Sequence, residues 1–279
     1  MLEIITQNTT HLIIQILIGL LALLIIIRLI LAIHEIVTNI CRVGFAQSIG
    51  LMEIQSDFHA ISRKPQGTIL ILADGMGRNY AGAISSTMLV ETILDEFELG
   101  NAFQNPNYFF HKSLHQANRR ILDQLDDGIG GAGAAIALLE RQTLYYATVG
   151  NVQISVFRKN ELIPVTEGHT VNVLAEKKYR QGSLTKQTTV ALLKERRLYN
   201  FVGREEFQDI EVFDQPLGLR RGDIILLMTD GVHDIVSYTE LENILKKGRD
   251  CQRKADAIIE AVSQAQGYKD NASALVIAI

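Results

Sequence analysis

The sequence predicts an α+β sandwich, in which antiparallel sheets pack together under a cover of helices, behind a single membrane-spanning helix. Three observations carry this. An almost unbroken apolar run occupies Leu12–Ile33, four short strand-like segments follow one another between residues 134 and 165, and amphipathic helix-length segments are inserted between strands.

The apolar run comes first in the chain. LIIQILIGLLALLIIIRLILAI is interrupted only by Gln15 and Arg28. At about 1.5 Å per residue it is roughly 33 Å long, enough to cross a hydrocarbon core of about 30 Å. Ile16–Ile27 has no polar stripe of the kind a buried core helix carries, and residues 1–11 contain no Lys or Arg to form the basic start of a signal peptide. Arg28, Arg42, Arg63 and Lys64 lie at or beyond the far end, so the positive-inside rule places the C-terminal part in the cytoplasm. The expected organisation is a short extracytoplasmic tail (1–11), a transmembrane helix (12–33), a juxtamembrane linker (34–47) and one domain (48–279). The expected location is the cell membrane, crossed once.

Within that domain, Thr68–Ala73 is a short apolar run ending in Asp74-Gly75, which predicts a buried strand and a turn. Tyr80–Phe97 and Asn107–Leu125 carry apolar residues at helical spacing. Gly128–Gly133 reads as a flexible hinge. The segments Ala134–Leu139, Thr143–Val149, Gln153–Arg158 and Glu161–Val165 predict an antiparallel meander. Helices are expected over Thr170–Tyr179 and Leu184–Leu193, a strand over Ile224–Thr229, helices over Ser237–Lys247 and Gln252–Gln266, and a closing strand over Ala274–Ile279.

Composition narrows the function. Hydrophobic residues make up 47% and charged residues 21% of the 279, which suits a packed core. The net charge of −4 argues against nucleic acid as the main partner. Cys41 and Cys251 lack metal-site or disulfide spacing and read as reduced thiols.

Three acids share a local signature. Asp74 follows ILILA, Asp230 follows IILLMT, and Asp270 stands just before SALVIAI, so each sits at the end of an apolar strand; Asp57 lies upstream in QSDF. One Asp-Gly alone is a turn. Several carboxylates gathered at stacked strand ends repel one another unless a cation joins them, and hard divalent ions such as Mg²⁺ or Mn²⁺ are the natural partners. With no nucleophilic Ser or Cys motif beside them, the expected nucleophile is a metal-activated water. The residue pattern thus points to a carboxylate-rich, metal-assisted hydrolase site.

From Ser48 to Ile279 the sequence resembles the metal-dependent PPM (type 2C-like) protein phosphatases in their compact bacterial form. SIGLMEIQSD, ILILADGMG, GAGAAIALLERQTLYYATVGNVQISVFRKNELIPVTEGHT, GDIILLMTDGVHDIV and KDNASALVIAI are similar to the family's blocks and come in the family's order. The resemblance implies a central antiparallel β-sandwich flanked by helix pairs (α-β-β-α) and two Mn²⁺ or Mg²⁺ ions acting on phosphoserine and phosphothreonine in phosphoproteins, opposite a Ser/Thr kinase. It also implies roles: Asp74 bridging both ions, the Gly75 carbonyl holding one, Asp230 and Asp270 binding the second, and Asp57 completing the site.

Two positions depart from the family pattern. Met52 stands where the family has a phosphate-gripping Arg, and Asn151 where it has an Asp that supports a third metal. Arg78, after DGMG, is the candidate to contact phosphate instead. These departures keep a second reading open, a weak or inactive phosphatase-like domain serving as a membrane-tethered binding module. His111 and His115 read as surface histidines. His233 reads equally as a site-lining or a structural residue.

Overall fold

The computed structural model describes residues 14–30, 42–125, 130–248 and 250–279. Contacts divide it into two units, Met1–Cys41 and Arg42–Ile279. In the first, residues 14–30 form helix α1, whose side chains are all exposed. No helix among the described residues is long and apolar enough to cross a membrane. The expectation of a complete span over 12–33 is therefore not met there. The described part of the expected span is 17 residues, 14 to 30, about 25 Å at 1.5 Å per residue. The ends of the expected span, the tail at 1–11 and residues 34–41 of the expected linker lie outside the described residues.

The second unit is built from two antiparallel sheets. One runs β1-β11-β10-β6-β7 and the other β2-β3-β4-β5-β8, with β9 paired to β5. The strands are β1 Arg42–Ser48, β2 Asp57–Lys64, β3 Gly67–Gly77, β4 Gly130–Glu140, β5 Thr143–Val149, β6 Gln153–Arg158, β7 Glu161–Pro164, β8 Glu211–Val212, β9 Leu217–Gly218, β10 Ile224–Met228 and β11 Ala272–Ala278. Helices α2 (Ala81–Glu98) and α3 (Pro106–Gln124) lie between β3 and β4, α4 (Val171–Arg180) and α5 (Lys186–Leu192) between β7 and β8, and α6 (Asp230–His233), α7 (Tyr238–Lys246) and α8 (Cys251–Gln264) between β10 and β11.

Alternation along each central strand explains the layering. In β3, Ile69, Ile71 and Ala73 pack against Leu89, Val90 and Ile93 of α2 and Phe110 and Leu114 of α3. Leu70 and Leu72 point the other way and are equally buried, because the second sheet covers them. In β10, Ile224, Leu226 and Met228 meet Leu241 and Leu245 of α7 and Ile258 and Val262 of α8, while Ile225 and Leu227 face inward. The result is helix, sheet, sheet, helix, as expected. The starts of α3, α7 and α8 are capped: Asn105, Ser237 and Asp250 accept from the backbone N–H of Tyr108, Glu240 and Arg253. At the end of α7 the buried Lys254 ammonium donates to the carbonyls of Leu245 and Lys247, groups that a helix end leaves without partners.

Two expectations are corrected. The expected linker at 34–47 overlaps β1, which pairs along its whole length with β11 from Arg42↔Ala278 to Ser48↔Ala272. Only Gly44 of β1 is buried, so this edge strand carries no apolar alternation to read. The expected hinge at 128–133 is also overturned where it is described: Gly130–Gly133 is the first part of β4 and pairs with Gly77 back to Asp74. Four small residues reached the interior because neighbouring chain crosses them closely, with Ala132 exchanging backbone hydrogen bonds with Val202.

Ile71 has no exposed surface and packs in the helix-facing core of β3. Ile71→Ala is expected to destabilise the domain by about 2–5 kcal/mol, the usual range for truncating a buried aliphatic side chain. Urea denaturation with an unchanged m-value checks this.

Candidate functional site

Strand register brings the acids together. Asp57 opens β2 and lies directly across from Asp74 in β3. In the other sheet β10 delivers Thr229 and Asp230 just past its end, and Asp270 lies two residues before β11, the antiparallel neighbour of β10. A hydrogen bond joins the two sheets at this end: Thr229 Oγ1 donates to Asp57 Oδ2 at 3.1 Å. Thr229 is itself fixed, since its hydroxyl accepts from Ser273 N at 3.0 Å and its own N–H donates to the Ser273 carbonyl at 3.1 Å. Asn271 adds a second tie, accepting from Ser56 N at 2.7 Å and donating to the Ile49 carbonyl at 3.0 Å.

Gly75 shows why the residue after Asp74 has no side chain. A Cβ there would lie 2.1 Å from the Gly82 carbonyl oxygen and 2.6 Å from that of Ser56. The chain at Asp74-Gly75 is pinned between the start of α2 and the segment before β2, with Gly75 N–H donating to the Ser56 carbonyl at 3.1 Å.

The electrostatics follow from this crowding. Asp57 is 4% exposed. Burial pushes its carboxyl up to about 7; the neighbouring Ser273 and Thr229 hydroxyls pull it down, and the charges of Asp230 and Asp270 push it up. Asp74 is held well above the ordinary carboxylate value by loss of water, then by Asp230, Asp57 and Asp270. Asp230 is raised by burial, against the pull of His233. Asp57 Oδ1 is buried with no hydrogen-bond partner. Each raised carboxyl takes either a proton or a cation to relieve its position.

Among the described residues, no three His, Cys, Asp or Glu side chains stand close enough together to form a ready metal cage. The donors nevertheless fit a hard divalent ion. Every one is an oxygen, one buried carboxylate oxygen has no partner, and the like charges repel in the absence of positive charge. Asp74, the Gly75 carbonyl, Asp230 and Asp270 are the residues that would hold it.

Beside Asp230 a cavity of about 310 Å³ opens, lined among others by Asn151, Thr166, Arg196, His233, Asp234 and Tyr238. Asn151 Nδ2 donates to Asp230 Oδ2 at 2.6 Å, and His233 Nε2 lies 2.9 Å from the Asn151 carbonyl oxygen. Burial alone would lower the His233 pKa, but Asp234, the Asn151 carbonyl and Asp230 outweigh it and the imidazole is raised. Met52 is half-exposed in a turn where Leu51 N donates to the Lys269 carbonyl, next to Asp270. Arg78 is exposed just after β3 and makes no ion pair among the described residues. Thr229, Asn271 and Asp234 were not singled out from the sequence. For Thr229 the signal was present in its position just before Asp230.

The chain is similar to known proteins. The sequence model of the family described as Protein phosphatase 2C matches residues 50–179. The serine/threonine phosphatase stp of Listeria welshimeri serovar 6b is 27% identical over 221 residues, covering 77% of this chain and 85% of that protein. The structure of the S. agalactiae serine/threonine phosphatase superposes with a TM-score of 0.75 at 21% identity, covering 86% of this chain and 99% of that one. The catalytic domain of the serine/threonine protein phosphatase PstP, in complex with two manganese ions, superposes at 0.66 with 20% identity over 85% and 97%. The structural likenesses show a shared fold.

The buried carboxyls make stability depend on pH. Folded Asp57 keeps its proton up to about 7, whereas its unperturbed value is 3.8. Between these values the folded chain binds more protons than the unfolded one, so stability falls as pH rises. In EDTA, the melting temperature is expected to fall from pH 4 to pH 7, and less steeply in Asp57→Asn. Parallel profiles for the two proteins would contradict the burial of Asp57.

Proposed function

We infer that this chain is a metal-dependent protein serine/threonine phosphatase of the 2C type. The observation that carries the reading is the carboxylate cluster, in which Asp57, Asp74, Asp230 and Asp270 are delivered by the ends of two facing sheets. The relatives named above as serine/threonine phosphatases support it.

The substrates are phosphoserine and phosphothreonine in proteins, and the cofactors are two Mn²⁺ or Mg²⁺ ions. When bound, such ions neutralise phosphoryl oxygens and lower the pKa of water. The chain's own residues do the rest. Asp74, the Gly75 carbonyl, Asp230 and Asp270 hold the cations. Asp57, fixed through one oxygen by Thr229, keeps the other available to accept a hydrogen bond or a proton. Thr229 and Asn271 keep the two sheets in register at the site. Arg78, exposed at the end of β3 and without an ion pair among the described residues, is a cation that can meet the phosphate, since Met52 offers none.

Attachment to the membrane rests on the sequence. Leu12–Ile33 is long and apolar enough to span, and the described helix α1 presents Leu and Ile on all sides, a surface that an apolar surrounding stabilises. The domain then works at the cytoplasmic face, on phosphoproteins made by an opposing kinase. One observation favours the second reading, a weak or inactive tethered binding module: the half-exposed Met52 offers no cation to a phosphate group.

The purified chain is expected to hydrolyse a phosphothreonine peptide with Mn²⁺, to stop in EDTA, and to recover when Mn²⁺ or Mg²⁺ is restored. Asp74→Asn should lose more than about 100-fold in kcat/KM, beyond the 10–100-fold typical of a residue behind the ligands. Steady-state kinetics decide between the readings: Mn²⁺-dependent peptide binding without turnover favours the module, and full activity in EDTA contradicts the metal assignment. In cells, the chain should remain in the membrane pellet after alkaline carbonate and its domain should resist protease added outside. Release by carbonate, or digestion of the domain, would overturn the placement.

A further inference from the structure

Resting on that reading, we propose that Asn151 is a positioning residue for Asp230: its amide fixes the carboxylate by one oxygen and leaves the other for a divalent cation. The contact of 2.6 Å between Nδ2 and Oδ2 is short and charge-assisted. A carboxylate only accepts, so the amide NH₂ must face Asp230 and the amide oxygen must turn away. That oxygen is buried with no hydrogen-bond partner. An amide left half satisfied in the interior opposes folding, so holding it there needs other restraints.

Those restraints are built into the turn between β5 and β6, where the chain passes from one sheet to the other. Gly150 has φ +86°, and a Cβ there would lie 2.8 Å from Gly133 Cα. His169 clasps this residue from both sides: its N–H donates to the Gly150 carbonyl at 2.6 Å, and its Nδ1 accepts from Gly150 N at 3.1 Å. His233 holds the next residue, with Nε2 2.9 Å from the Asn151 carbonyl oxygen. Gly133 is also the cross-strand partner of Asp74. Asn151 therefore stands beside β4, the neighbour of the Asp74 strand in one sheet, and grips an acid carried by the other. A neutral donor of this shape does so without adding negative charge to a site that already has too much.

The test uses the full-length chain in detergent, with Mn²⁺ as the probe. Asn151→Ala removes the grip, and its Mn²⁺ dissociation constant, from titration calorimetry or the EPR signal of free Mn²⁺, should rise about 10–100-fold. Asn151→Asp keeps the shape but sets two carboxylates in contact. In EDTA its melting temperature should fall below wild type, and Mn²⁺ should raise it by more than it raises wild type. An unchanged Mn²⁺ affinity in a folded Asn151→Ala overturns the proposal, and so does an Asn151→Asp that melts like wild type in EDTA. If wild type binds no Mn²⁺, the metal reading itself fails, and the EDTA comparison still decides whether Asn151 meets Asp230.

Discussion

Four carboxylates held at the meeting ends of two sheets set the terms for the rest of this structure. Left to itself such a cluster flies apart or fills with protons, because burial and mutual repulsion act on Asp57, Asp74 and Asp230 in the same direction. The scaffold resists with rigidity. Asp57 and Asp74 are locked by the β2–β3 register, and Thr229 and Asp270 by the ends of β10 and β11. The strands are in turn clamped by helices whose apolar faces complete two separate cores. Precision at the site is therefore provided by ordinary burial well away from it.

Uncharged side chains do much of the local work. Thr229 bridges the sheets, Asn271 ties the segment before β2 to the start of β11, and Asn151 faces Asp230. Each stabilises a neighbouring acid or its backbone without adding charge. The arrangement leaves Asp57 with one oxygen satisfied by Thr229 and one without a hydrogen-bond partner. Among the described residues around the rim, Met52 is apolar, Arg196 spends its guanidinium partly on Asp234, and Arg78 makes no ion pair.

Much was legible in the sequence because it is written in local pattern. The apolar runs of β3 and β10 are buried on both faces, so they read as continuous hydrophobic segments ending in an acid. The helices α2, α3, α7 and α8 announce themselves by apolar residues at helical spacing. The strand meander and inserted helices suggested the α+β sandwich, and the acids at the strand ends suggested the kind of chemistry. What stayed hidden has little or no local signal. Edge strand β1 is mostly solvent-facing and is defined by its partner β11, and the glycines of β4 look like a hinge until close-packed neighbours account for them.

The sequence by itself thus singled out the candidate residues for the chemistry and most of the buried segments, since residue type and periodicity are properties of the chain. Tertiary structure alone decided how those residues meet. The pairing of Asp57 with Asp74, the reach of Thr229 from one sheet to the other, and the approach of Asn151 to Asp230 across 79 positions of sequence depend on register and layer packing. The same holds for the raised carboxyls, because desolvation and repulsion exist only once distant acids share one poorly hydrated volume.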